Sequence, residues 1–119
     1  MQILIVEDEV LVAMDLEAML EDMGASVVGP ANNIDDAMKL AKAAQIDLAF
    51  LDINLGGHRS TPVADLLRRR DIPFVFLTGY ERDQLPPELG EAEILSKPIS
   101  QMHISATLKR LNIPPNSAA

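Results

Sequence analysis

The sequence predicts an α/β fold, a doubly wound parallel sheet of five strands. Continuous apolar runs at residues 3–6, 48–51 and 74–77 have the length of strands that are buried on both faces. Helical patterns separate these strand segments, and the 119 residues contain no internal repeat. Because strands and helices alternate at short intervals, we expect one parallel sheet with helices on both sides.

The first strand, residues 3–6, leads into an amphipathic helix predicted at residues 9–23. Its apolar residues recur every three or four positions, which is the spacing of one buried helix face. They are Val12, Leu16, Met19, Leu20 and Met23. Gly24 follows, and glycine commonly ends a helix.

A short second strand, predicted at residues 26–29, lies at an edge of the sheet. Asn33 then suits the N-cap of a second helix that runs to about residue 45. Asp35 and Asp36 fall in its first turn, where carboxylates favour the positive end of the helix dipole.

The third strand, residues 48–52, is apolar until it ends in a carboxylate. A polar loop with two glycines, residues 53–60, leads to Thr61, a predicted N-cap, and to Pro62, which suits the first helical position. The buried stripe of this third helix is predicted to be Val63, Leu66 and Leu67. We interpret the arginine run at residues 68–70 as a solvated helix end.

The fourth strand, residues 74–77, is followed by an irregular segment at residues 80–92. Pro86 and Pro87 stand where a fourth helix belongs. Because proline inside a helix costs about 3 kcal/mol or more, we expect that helix to be short or irregular.

A weaker fifth strand at residues 93–96 precedes Ser100, which suits the N-cap of a final helix. The inward-facing residues of this helix are predicted to be Ile104, Leu108 and Leu111. The predicted domain therefore covers residues 1–113, and residues 114–119 form a C-terminal tail.

Composition excludes several classes of function. The chain is 48% hydrophobic and 24% charged, and it has no cysteine, which excludes disulfides and thiolate chemistry. A net charge of −8 argues against general binding to nucleic acid. No leader or long apolar segment precedes the first strand, so we expect no membrane span and a cytoplasmic location.

Charged and polar residues follow the predicted strands, at the sheet edge where open α/β sheets bind ligands. They are Glu7 and Asp8, then Asp52, Thr78 and Lys97. Neighbouring strands lie about 4.8 Å apart, so the first and third strands, if paired, bring three carboxylates together. Like charges about 4 Å apart repel by on the order of 4 kcal/mol at an effective dielectric near 20. Such a cluster requires a cation or a proton.

These side chains complement one another in phosphoryl transfer. Although an aspartate after a strand is more often a turn former, a carboxylate such as Asp52 can also attack phosphorus. Mg²⁺ held by one or two carboxylates offsets the repulsion between the two anions. The Lys97 ammonium suits a phosphoryl oxygen, and the Thr78 hydroxyl can donate a hydrogen bond.

The full set resembles the signature of two-component response-regulator receiver domains over essentially the whole chain. The matching residues are Glu7-Asp8, Asp52, Thr78-Gly79 and Lys97-Pro98. The resemblance implies a flavodoxin-like (CheY-like) fold with strand order 2-1-3-4-5. It also implies that Asp52 accepts a phosphoryl group from a sensor histidine kinase or phosphotransfer protein, and that this switches a surface that binds a downstream protein.

The same resemblance implies the metal ligands. Asp8 and Asp52 would bind Mg²⁺ directly, together with the backbone carbonyl of Asn54, and Glu7 would act mainly through water. No other cofactor is implied.

The resemblance also assigns the phosphoryl contacts. Lys97, expected to precede a cis peptide bond, would pair with the phosphoryl group, and Thr78 would bond its oxygens. The family usually carries an aromatic residue three positions before the lysine, where this chain has Ile94. This departure questions the usual coupling between threonine and aromatic residue.

A subgroup of mostly single-domain receivers shares that departure, and residues 76–80 resemble its Phe-x-Thr-Gly-Tyr pattern. We hypothesise that phosphorylation acts partly by ordering the segment at residues 80–92. The chain is expected to be a stand-alone receiver or a piece of a longer protein, and a monomer or weak dimer.

Two other functions stay open. A phosphohydrolase with an aspartate nucleophile generally has a second acid two residues later, where this chain has Asn54. A receiver-like binding module that is never phosphorylated usually lacks an acid or the lysine, and this chain retains both.

Overall fold

The computed structural model describes residues 1–79, 92–111 and 113. The strands, in chain order, are β1 (Gln2–Val6), β2 (Ser26–Ala31), β3 (Leu48–Asp52), β4 (Asn54–Leu55), β5 (His58–Arg59), β6 (Phe74–Thr78) and β7 (Ile94–Ser96). The helices in this part of the chain are α1 (Val10–Asp22), α2 (Ile34–Ala43), α3 (Thr61–Arg69) and α4 (Gln101–Arg110).

Five strands form one parallel sheet in the order β2-β1-β3-β6-β7. With the short strands β4 and β5 left aside, this is the predicted order 2-1-3-4-5, so the predicted fold class is confirmed. The second strand lies at an edge, as expected, but it extends to Ala31.

The core consists of two apolar layers, one on each face of the sheet. Successive strand residues point to opposite faces, so Leu4 and Val6 of β1 pack with residues of α2 and α3, whereas Ile3 and Ile5 pack with residues of α1 and α4. All five residues of β3 are buried. This explains why the central strands are continuously apolar, and it fixes their carboxyl ends at one rigid edge.

The predicted helix ends agree with the structure to within a few residues. Glu9 occupies the N-cap position of α1, and Gly24 has a φ of 90° just beyond its end. Asn33 caps α2 by accepting a hydrogen bond from the Asp36 N–H at 2.8 Å. Ser100 caps α4 by accepting from the His103 N–H at 3.2 Å. In α1 the buried residues are Ala13, Leu16 and Leu20, so the predicted stripe is shifted by one residue at its start.

Residues 53–60 form more than the predicted loop, because β4 and β5 pair as an antiparallel hairpin. Gly56 and Gly57 connect them with φ values of 57° and 84°, which a two-residue hairpin turn of type I′ requires. The prediction of Thr61 as an N-cap was wrong by one residue. Ser60 holds that position, and its hydroxyl donates to the backbone carbonyl of Asp52 instead of capping the helix.

The arginine run was predicted to be a solvated helix end, but Arg70 also makes specific hydrogen bonds. Its Nη1 donates to the carbonyl oxygens of Ala41 at 2.5 Å and Ala44 at 3.1 Å, at the C-terminal end of α2. The guanidinium therefore satisfies carbonyls that α2 leaves without helical partners.

We expect Arg70→Met to lower the free energy of unfolding by about 1–2 kcal/mol, because two carbonyls lose a charged donor. Arg69→Met is the matched control, since Arg69 is exposed in the same turn, and it should cost less than about 0.5 kcal/mol. Urea denaturation followed by circular dichroism measures both. Equal losses from the two variants would show that Arg70 stabilises the protein through its aliphatic carbons or its overall charge, and not through these two hydrogen bonds.

Several predictions lie outside the described residues: the irregular fourth helix, apart from Ala92, the ordering of that segment on phosphorylation, and the C-terminal tail at residues 114–119. Tyr80, the last residue of the Phe-x-Thr-Gly-Tyr pattern, lies outside them as well. Within the residues that are described, no helix is both long enough and apolar enough to cross a membrane.

Candidate functional site

The register of the parallel strands brings the predicted site residues to one edge. Val6 pairs with Leu51, so Glu7 and Asp52 follow at the same level on adjacent strands. Thr78 pairs with Ser96, so Lys97 comes directly after the neighbouring strand. The backbone N–H of Lys97 donates to the carbonyl of Thr78 at 2.8 Å, which extends the pairing to the site.

Lys97 closes the cluster through its side chain. Its Nζ lies 2.8 Å from Oε1 of Glu7 and 3.0 Å from Oδ1 of Asp52. The peptide bond between Lys97 and Pro98 is cis, as predicted. The amine therefore reaches the predicted phosphoacceptor although 45 residues separate the two in the sequence.

Three carboxyl groups converge at this edge of the sheet. Glu7, Asp8 and Asp52 each offer an oxygen, and these oxygens all lie within 4.8 Å of one another. Glu7 and Asp52 are buried, whereas Asp8 is exposed. Oε1 of Glu7 and Oδ1 of Asp52 lie close to the Lys97 amine but have no partner with hydrogen-bond geometry among the described residues. Such a set of oxygens fits a hard cation such as Mg²⁺.

Burial and proximity shift the ionisation of this cluster. Burial raises the pKa of Asp52, and the neighbouring Glu7 carboxyl raises it further, to about 9, although the Lys97 amine acts in the opposite direction. Burial acts to lower the pKa of Lys97, but the carboxyl groups of Glu7 and Asp52 outweigh it and hold that pKa above its usual range. At neutral pH and without a bound metal, the Asp52 carboxyl group is therefore protonated and the neighbouring Lys97 amine is charged.

Asp8 differs from its two neighbours. Burial acts to raise the pKa of Asp8, but hydrogen bonds from the Gly56 N–H and the Asp52 carboxyl group hold it below the usual range. The Gly56 bond measures 3.0 Å and joins the β4–β5 hairpin to the acid cluster. Asp8 therefore stays ionised and exposed, so its carboxylate is accessible to a cation.

We predict that Mg²⁺ affinity rises with pH, because binding must displace the proton on Asp52. The apparent affinity should increase by up to about tenfold per pH unit between about pH 6 and pH 8, below the raised pKa. Titrations followed by the amide shift of Gly56 measure this. Asp52→Asn, which has no proton to displace, should lose the dependence, and a wild-type affinity that is constant over this range would contradict the prediction.

An open cavity of about 270 Å³ lies over the cluster. It is lined by Asp8, Glu9, Asp52, Ile53, Asn54, Leu77, Thr78, Gly79 and Lys97. Five of the six predicted site residues thus face one space, and the sixth, Glu7, is buried beside Asp52. The arrangement can hold a cation, expose a carboxyl oxygen to an incoming group and place an ammonium next to it.

Four contacts, made by three residues, were missed from the sequence. Ser60 is fully buried, its N–H donates to the Ile53 carbonyl at 2.9 Å, and its hydroxyl donates to the Asp52 carbonyl. Gly56 bonds Asp8. The Glu9 carboxylate lies 3.2 Å from the Lys97 amine. Nothing in the local pattern around these residues signals a contact with a distant strand end.

The comparisons with known proteins agree with this geometry. The family model of the response regulator receiver domain matches residues 3–109. The chain is 37% identical over 113 residues to the phyllosphere-induced regulator PhyR of Methylorubrum extorquens, with 92% of this chain and 42% of PhyR covered. It therefore spans less than half the length of that relative.

Solved structures are similar as well. SdrG from Sphingomonas melonis Fr1 superposes with a TM-score of 0.83 at 42% identity, covering 94% of this chain and 96% of SdrG. The BeF3-activated conformation of SdrG superposes with a TM-score of 0.81 at the same identity. From the family match, the fold and the converging strand ends, we conclude that this chain belongs to the response regulator receiver domains of two-component systems.

Proposed function

We propose that this receiver, in the cytoplasm, accepts a phosphoryl group on Asp52 from a phosphohistidine of a sensor kinase or phosphotransfer protein, with Mg²⁺ bound. The observation that carries the proposal is the Asp52 carboxyl group, which lines an open cavity with the Lys97 amine 3.0 Å away and two further acids beside it. Residues 1–113 would form the receiver, and residues 114–119 a tail.

The transfer needs few groups. A carboxylate oxygen of Asp52 forms a bond to phosphorus while the phosphorus–nitrogen bond of the phosphohistidine breaks and its electron pair returns to the imidazole. Lys97 offsets the charge that the phosphoryl group brings, and Thr78 supplies a hydroxyl in the same cavity. When bound by Asp8, Asp52 and the Asn54 carbonyl, Mg²⁺ supplies charge neutralisation for the phosphoryl oxygens.

Receivers are signalling domains, and their acidic pockets bind Mg²⁺. On this basis we infer that the phosphorylated chain changes its affinity for a downstream protein, and that its own chemistry is limited to assisting phosphorylation and slow dephosphorylation.

Two alternative functions predict different outcomes. A binding module would take up no phosphoryl group, and an aspartate phosphohydrolase would release phosphate continuously from small phosphoesters.

The test is incubation with acetyl phosphate, with Mg²⁺ in one sample and EDTA in the other. Intact mass should show one added phosphoryl group only with Mg²⁺. Borohydride reduces an aspartyl phosphate to homoserine, so peptide mass spectrometry should place homoserine at position 52. No added mass in either sample would refute the proposed function.

A further inference from the structure

Glu9 contacts the reactive cluster although it stands outside the set of residues that the sequence singles out. It precedes α1, and its side chain is 65% exposed at the mouth of the cavity over Asp52. Its Oε1 lies 3.2 Å from Nζ of Lys97. The Lys97 amine is therefore surrounded by three carboxyl groups, two buried and one exposed.

The three carboxyl groups approach the Lys97 amine from different sides. Glu7 and Asp52 lie on the buried side of Lys97, whereas Glu9 approaches from the solvent side. A phosphoryl group on Asp52 must enter the same cavity and needs the amine as its counter-charge. Glu9 then competes with the phosphoryl oxygens for Lys97, and its negative charge repels them across the cavity mouth.

We propose that Glu9 is a positioning residue that holds the Lys97 amine at the cavity mouth in the unphosphorylated protein and thereby disfavours occupation of the site by a phosphoryl group. This inference rests on the proposed function, since it concerns the amine that would bind the phosphoryl oxygens. It assigns Glu9 the role of limiting how readily the receiver takes up its activating group.

The backbone of Glu9 has a separate role, which makes the side chain testable alone. The Glu9 N–H donates to Oε2 of Glu7 at 2.9 Å, and this bond orients the buried acid. Glu9→Gln leaves that bond and the length of the side chain in place and removes only the charge. Because the side chain is largely exposed, we expect the variant to fold as the wild type does.

The expected effect is modest in size and definite in sign. Ion pairs with an exposed partner are weak, so Glu9→Gln should tighten binding of beryllofluoride, a phosphoryl mimic, by about two- to fivefold at low salt. The gain should shrink at about 1 M salt, where charges are screened beyond about 3 Å. Affinity for Mg²⁺ alone should stay equal or fall slightly, because the variant removes a negative charge near a dication.

The experiment titrates wild type, Glu9→Gln and Glu21→Gln with beryllofluoride at saturating Mg²⁺, and separately with Mg²⁺ alone, following amide shifts. Glu21 is an exposed acid at the far end of α1, so Glu21→Gln makes the same charge change away from the cavity. Glu21→Gln should match the wild type.

The inference is overturned if Glu9→Gln binds beryllofluoride as the wild type does or more weakly. It is also overturned if the two substitutions have equal effects, or if Mg²⁺ affinity rises as much as beryllofluoride affinity. Failure of the proposed function is distinguishable, since the wild type and both variants would then bind no beryllofluoride and gain no phosphoryl mass.

Discussion

Replacing Asp52 by asparagine should abolish phosphoryl uptake from acetyl phosphate while the fold persists. The amide has no carboxylate oxygen to attack phosphorus, so intact mass should show no modified protein where the wild type is modified. The fold should persist because the raised pKa of Asp52, about 9, makes this side chain neutral at neutral pH already. The free energy of unfolding without metal should rise at neutral pH, because Asp52 of the unfolded wild type ionises above about pH 3.9 whereas an amide has no proton to lose.

Two further variants make this result specific. Asp15→Asn changes an exposed acid on α1, and it should be phosphorylated like the wild type. Asp8→Asn keeps the nucleophile but removes a carboxylate from the acid cluster, so it should need about 10–100 times more Mg²⁺ to reach the same modified fraction. If Asp52→Asn took up as much phosphoryl group as the wild type, another residue would have to be the nucleophile.

Replacing Lys97 by methionine should destabilise the protein strongly, and more at high pH than at low pH. The substitution removes the ammonium that lies 2.8 Å from the buried Glu7 carboxyl group and 3.0 Å from that of Asp52. Removing one partner from a buried ion pair costs about 3–5 kcal/mol. Urea denaturation at about pH 8 should show a loss of this size.

The pH dependence follows from the acid that remains. The folded-state pKa of Asp52 is already raised, and loss of the Lys97 amine, which acts to lower it, raises it further. A raised folded-state pKa gives stability that is complete below the unfolded value of about 3.9 and is lost as pH rises toward the folded value. Below about pH 9 both folded proteins keep Asp52 protonated, so the defect should be larger at about pH 10, where only the wild-type Asp52 is ionised, than at about pH 8.

Mg²⁺ and a control lysine complete this test. Saturating Mg²⁺ should recover part of the stability of Lys97→Met, because a cation at the acid cluster replaces the missing charge. Lys42→Met, at an exposed position in the last turn of α2, should cost less than about 0.5 kcal/mol at either pH. If Lys97→Met lowered the free energy of unfolding independently of both pH and Mg²⁺, the aliphatic part of Lys97, rather than its charge, would be what stabilises the site.

The sequence alone determined the layers of the fold and the residues of the central cluster. Continuous apolar runs require strands buried on both faces, and parallel strands place their carboxyl ends at one edge. The residues just after the predicted strands, among them Glu7, Asp52 and Lys97, therefore lie at that edge, and the Lys97 amine is within 3.0 Å of both acids. The apolar runs alone do not give the strand order, which was inferred from the family resemblance.

Only the tertiary structure decided which other groups reach that edge. Ser60 appears polar and loop-like in sequence, yet it is buried and donates to the Asp52 carbonyl. Arg70 appears to be an exposed helix end, yet it caps a helix 26 residues earlier in the chain. Glu9 appears in sequence to be the first residue of a helix, yet its carboxylate contacts Lys97, 88 residues away. Local periodicity reports which face of an element is apolar, whereas these contacts depend on how separate elements are placed against one another in space.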